Sequence, residues 1–113
     1  MAKVEIISSL FWDIKKKFKG ETHKVIDLIE SLENNPKKGK LLGSVGGIVI
    51  KELKYKSFRF YFITDGYKLK LLDKKYLVDI LMRFVRMSDK KHQQETINEI
   101  RKILIKFGSQ GFD

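Results

Sequence analysis

The chain has no cysteine, one proline and two histidines in 113 residues. Without cysteine there can be no disulfide and no thiolate metal site. His23 and His92 lie far apart in the chain, and no spacing of carboxylates points to a ligand set, so no metal and no cofactor is expected. Long apolar runs are also missing: the longest uncharged stretch, Leu41 to Ile50, carries three glycines and is too short to span a bilayer. The opening MAKVEIISSL lacks the basic-then-apolar layout of a signal peptide. A cytoplasmic protein with no membrane partner is expected. The length suits one domain over 1–113, and 42% hydrophobic residues suffice for a real core.

Positive charge is what the chain has in excess. The net charge is +10, and it is localised. Between Lys37 and Lys91 fifteen Lys/Arg stand against five acids, while the rest of the chain holds nine of each. A localised excess suggests a polyanionic partner, most often nucleic acid. Lysines lining solvated strand edges are the plainer alternative.

The hydrophobic pattern reads as one strand, two helices, four strands and a helix. Val4 to Ile7 forms the first strand. Ser9 is placed to cap a helix with Leu10, Phe11, Ile14 and Phe18 on one face. After a break at Gly20, a second helix runs from Thr22 to Asn34 and stops before Pro36, an αα-hairpin. Lys37 to Gly47 reads as a loop. Period-two alternation then predicts strands over Ile48–Tyr55, Phe58–Thr64, Tyr67–Leu72 and Tyr76–Met87, with turns at Lys56-Ser57, Asp65-Gly66 and Asp73–Lys75. Ser88 is placed to cap a last helix, Asp89 to Phe107, closed by Gly108, and a loose tail follows over 108–113. The fold class is α+β, an antiparallel meander with helices on one face and the other face open to a partner.

Most chemical motifs fall away. GSVGG (43–47) lacks the GK[ST] ending of a phosphate-binding loop and precedes a strand rather than a helix. Ser88, Asp89 and His92 read more simply as a helix cap and first turn than as a triad. Glu52 is alone, so paired carboxylates are not indicated. The basic set remains: Lys51, Lys54, Lys56, Arg59, Arg83, Arg86, Lys90 and Lys91. Alternation places Phe58, Phe60 and Phe62 under the helices and Arg59 on the open face, where neighbouring strands can bring Arg86 and a lysine near it. Lys54 shares a face with Glu52, and Lys51 lies opposite. Arg83 and Arg86 take opposite sides unless a bulge intervenes.

Three stretches, SLFWDIKKKFKGETHKVIDLIESLENNPKKGKLL, KELKYKSFRFYFI and ILMRFVRMSDKKHQQETINEIRKIL, together cover nearly the whole chain. In order and spacing the chain resembles the RelE/ParE toxin superfamily, including HigB-like and phage-derived members. The resemblance implies a compact toxin neutralised by an antitoxin protein. RelE- and HigB-like members cut mRNA in the ribosomal A site without metal; ParE-like members poison DNA gyrase. By position, Arg59 matches the arginine of the family's aromatic-Arg strand and Lys54 the basic residue of its E-L-(R/K) strand. Arg86 falls near the basic position ending the last strand, and Lys90 and Lys91 near the basic pair opening the final helix. The chain departs from the pattern at Ile50 and Glu52, where RelE members carry lysines, so that only Lys51 is left to substitute. Tyr67 to Tyr76 is longer than usual, and His92 alone stands in for a late tyrosine or histidine.

For a metal-free nuclease, the resemblance casts Arg59 and Arg86 as cations that stabilise a five-coordinate phosphorus. Lys51 or Lys54 becomes the base, its pKa drawn down by the arginines, with His92 as the alternative base or acid. Arg83, Lys90 and Lys91 become RNA contacts. The expected function is thus a ribosome-dependent mRNA endoribonuclease, the alternatives being a non-catalytic gyrase inhibitor or an inactive basic nucleic-acid-binding relative.

Overall fold

The computed structural model describes residues 1–112. A five-stranded sheet runs in the order β1-β5-β4-β3-β2, from β1 (Ala2–Ile6), β2 (Lys40–Val45), β3 (Ile48–Tyr55), β4 (Phe58–Asp65) and β5 (Ile80–Asp89). β1 pairs parallel with β5 and all other pairs are antiparallel, so the fold is α+β with a mixed sheet. The helices are α1 (Ser8–Phe18), α2 (Thr22–Glu30), α3 (Gly66–Asp73) and α4 (Gln93–Phe107). Helix α1 begins at Ser8, one residue ahead of the expected Ser9 cap. Single 3₁₀ turns join α1 to α2 and end α2.

The core follows from the apolar stripes. Leu10 and Ile14 of α1 and Val25 and Ile29 of α2 are buried against one sheet face. On that face Phe18 meets the rings of Tyr55, Phe58 and Phe60, and Phe62 stacks on Phe84 at 4.6 Å. The phenylalanine phase predicted for β4 therefore holds.

The opposite face is not open, which corrects the expectation. Ile97, Ile100 and Leu104 of α4 form a buried stripe, and apolar area on a helix is covered where a sheet face allows it. Helix α4 lies across the face that carries Ile50, Tyr61 and Arg86: Arg86 reaches Glu99, and Arg101 fills the space beside Gly43, the partner of Ile50. The sheet is thus a middle layer between two helical layers.

Several elements differ from the sequence reading. Residues 40–45 form edge strand β2 rather than a loop, and Gly46 and Gly47, at φ 53° and 87°, make the two-residue turn into β3. Asp65-Gly66 opens a helix, not a hairpin: the Asp65 carboxylate accepts from the amides of Tyr67 and Lys68 and caps α3, while Leu69 and Leu72 pack inward. The chain from Lys74 to Asp79 carries no strand, and α4 starts at Gln93 rather than Asp89. The tail is not loose over residues 108–112: a 3₁₀ turn leads to Phe112, which is buried, and Asp113 lies outside the described residues.

Candidate functional site

The topology gathers one end of the sheet. The start of β2, the end of β3, the start of β4 and the end of β5 meet there, because Lys40 pairs with Glu52, Lys54 with Arg59, and Arg59 with Ser88. A cleft of about 450 Å³ opens at this end, lined by Lys38, Gly39, Lys40, Glu52, Leu53, Lys54, Arg59 and Gln93. Four cations and one carboxylate thus share a small concavity.

Arg59 forms its floor. Its side chain points away from Phe58 and Phe60, as predicted, but only 7% of the residue is exposed because the start of α4 shelters it. Nη1 donates to the Ser57 carbonyl at 3.2 Å, whereas Nε is buried without a partner. A buried guanidinium with an unused donor is costly to keep unless something else is bound there. Lys54, directly opposite in register, is exposed at the rim.

Glu52 was set aside in the sequence as an isolated acid, yet it is buried in the same cleft. Gln93 Nε2 approaches its carboxylate at 3.4 Å. Lys38, Lys40 and Gln93 were also missed. Only the pairing of β2 with β3 and the position of α4 bring them in, and neither is visible as a local motif.

The remaining expected residues divide. Lys51 is on the other face and is not brought to Arg59. Its ammonium donates to the carbonyls of Lys37 and Lys38, at 3.2 Å each, and lies 5.8 Å from the Phe62 ring centre. Its pKa is indeed lowered from 10.5, but by burial rather than by neighbouring arginines, with Asp73 opposing. Lys51 therefore props the loop that forms one cleft wall.

Arg86 is also diverted. A bulge between Tyr61 and Phe62 on one side and Phe84 and Arg86 on the other turns Arg83 and Arg86 onto one face. Arg86 is bound to Glu99 and to the Val85 carbonyl, and its guanidinium lies 5.2 Å from the Phe112 ring centre. Arg83 binds Glu5 and the carbonyls of Ser109 and Phe112. Both arginines hold the C-terminal segment in place.

The β5–α4 turn carries the rest. Lys90 and Lys91 are exposed there, next to His92. Asp89 Oδ1 accepts from the His92 amide at 2.9 Å and contacts its Nδ1 at 2.8 Å, which draws the Asp89 carboxyl below its ordinary range. Ser88 is no helix cap: it is a buried strand residue bonded to the Tyr61 hydroxyl at 2.7 Å. Lys56, at φ 53° in the hairpin turn, is paired with Glu21.

One more basic element reaches this end. Lys17, from the KKKFK run closing α1, lies 5.0 Å from the ring centre of Phe58, the first residue of β4. Counted along the chain, this run is balanced by acids; in space it adds to the cationic end. Among the described residues no three His, Asp or Glu side chains group to hold a metal ion, and no helix is long and apolar enough to cross a membrane. Comparison with known protein families, with curated proteins and with solved structures gave no match to this chain.

Proposed function

We propose that this chain is a toxin of the RelE/ParE kind that cleaves mRNA on the ribosome, using the cleft around Arg59. One observation supports this above all: a nearly buried guanidinium, whose buried Nε–H has no partner, lines a concavity walled by Lys38, Lys40 and Lys54. Guanidinium in a sheltered site grips a phosphodiester far more tightly than in water.

In this reading the chemistry needs no metal. Glu52 takes the proton of the ribose 2′-hydroxyl, whose oxygen attacks the adjacent phosphorus. Arg59, with Lys54, holds the charge that builds on the phosphoryl oxygens. The bond to the 5′ oxygen breaks, leaving a 2′,3′-cyclic phosphate. His92, one residue before Gln93 of the cleft wall and paired with Asp89, returns a proton to the leaving oxygen. The ribosome supplies alignment of the substrate. Lys90 and Lys91 hold flanking phosphates. A co-expressed antitoxin would cover the basic end with an acidic or amphipathic segment, and that complex should weaken with salt.

The test is mRNA integrity in a cell-free translation system with wild type and Arg59→Gln. Wild type should cut within translated codons, and the variant should lose roughly 100- to 1,000-fold in rate. Intact mRNA and normal translation with wild type would end the nuclease reading. A second reading has its own support. Arg86 and Lys51 are committed elsewhere, which leaves a grip without the full expected cation set, and that favours a non-catalytic ParE-like block of gyrase. Inhibition of DNA supercoiling with translation unaffected would select it.

A further inference from the structure

Trp12 is the only tryptophan in the chain and is 59% exposed. Leu10 and Ile14 take the inner side of α1, so Trp12 faces outward. Phe11 stands edge-on to it with ring centres 6.1 Å apart. Lys15 Nζ lies 4.9 Å from the Trp12 ring centre. An outward indole beside a half-exposed phenyl ring gains nothing from the core of this fold.

The surroundings indicate what covers it. A docked amphipathic helix would need further apolar anchors one and two turns along. Within α1, which ends at Phe18, the positions following Trp12 at that spacing are Lys15 and Lys16. A groove of about 350 Å³, lined by Asp13, Lys16, Lys17 and Met87, joins α1 to the last part of β5, whose strand leads on to Lys90 and Lys91. Aromatic faces set among lysines match the chemistry of unpaired bases joined by phosphates.

We infer that α1 carries a second contact for single-stranded nucleic acid, with a base stacked on Trp12 and the flanking phosphates on Lys15 and Lys16. Lys15 exchanges its place over the ring for a phosphate oxygen. The inference extends the proposed substrate path away from the Arg59 cleft, and it rests on the reading of the basic surface, not on cleavage.

The lone tryptophan makes the test site-specific. Full-length protein is titrated with an oligouridylate of about a dozen nucleotides, and in parallel with the matching oligothymidylate, while Trp12 emission is followed. Emission should be quenched and the quenching should weaken steeply with salt. Trp12→Ala should weaken binding of a labelled oligouridylate roughly 5- to 150-fold, and Trp12→Phe much less. Quenching by both oligomers assigns the contact to bases and phosphates alone; quenching by RNA only adds the ribose hydroxyl. The quenching is read whether or not mRNA is cut in the translation assay, so a failed nuclease reading does not remove this one. Unchanged oligonucleotide affinity in a folded Trp12→Ala variant would overturn the inference. So would emission that responds to an acidic amphipathic peptide and not to either oligomer.

Discussion

Arg59→Met should make the protein more stable and unable to grip its substrate. Only 7% of the residue is exposed, and among the described residues its guanidinium makes one hydrogen bond, Nη1 to the Ser57 carbonyl. Leaving Nε–H buried and unpaired costs about 1–3 kcal/mol, and the single bond returns about 0.5–1.5 kcal/mol. Methionine keeps an apolar stem of similar reach and removes both terms. The net gain is about 1 kcal/mol, a rise in melting temperature of about 4 °C for a domain of this size. Urea and thermal unfolding, analysed as two-state transitions with unchanged m, give the difference. A short RNA at about 100 times its Kd should add about 2.7 kcal/mol to wild type, and far less to the variant. A clear fall in stability for Arg59→Met would refute the reasoning, because it would make the arginine a structural strut rather than a waiting ligand group.

Other expectations follow from the same contacts. Glu52→Gln should reduce mRNA cleavage by roughly 100- to 10,000-fold while leaving RNA affinity within a few-fold, as single-turnover kinetics beside filter binding will show. Glu21 accepts from Lys56 and from the Tyr55 hydroxyl, each at 2.9 Å, and these contacts lower its carboxyl pKa below 4.5. A depressed carboxyl stabilises the fold above the unfolded pKa and loses that contribution as pH falls through the folded value. Glu21→Gln should therefore destabilise at neutral pH and match wild type well below pH 4.5, read from melting curves across pH. Gly39, at φ +108°, has little room for a methyl group, which would sit 3.0 Å from the Phe62 ring. Gly39→Ala should cost about 1–3 kcal/mol in chemical denaturation and weaken RNA binding by shifting the Lys38–Lys40 wall. Removing residues 108–112 should uncover Arg83 and Arg86 and lower the melting temperature, since Phe112 is a core residue and both arginines hold its segment.

Much of this architecture could be read from periodicity, and the exceptions have physical causes. The stripes through Leu10 and Ile14, Val25 and Ile29, and Ile97, Ile100 and Leu104 announce α1, α2 and α4 because each faces a single buried layer. The β3–β4 hairpin turns at Lys56-Ser57 as its alternation implies. Strand β2 was hidden because KLLGSV, next to Gly46-Gly47, has a loop's composition; its strand state comes from pairing with β3, and Gly43 leaves the space that Arg101 uses. For α3, the sequence YKLKLL fits either period, and only the capping bonds of Asp65 decide it.

Of the site, strand phase alone sets Arg59 and Lys54 on one face, whereas Lys90 to His92, read as the first turn of the last helix, lie in the turn before α4. Arg86 and Lys51 were misjudged for a different reason. Their charges are spent on Glu99, Phe112 and two loop carbonyls, all distant in sequence. Glu52 looked solitary because its cleft neighbours come from three separate elements.

The most direct test watches the Arg59 side chain itself. In nitrogen-15 NMR spectra the Nε–H of each arginine gives its own signal, and a non-cleavable 2′-O-methyl oligonucleotide can be titrated in. The Arg59 Nε–H should shift on binding, with slowed exchange, while Arg83 and Arg86, already held by Glu5, Glu99 and the C-terminal segment, stay in place. Saturable RNA binding that leaves the Arg59 signal unmoved would contradict the account.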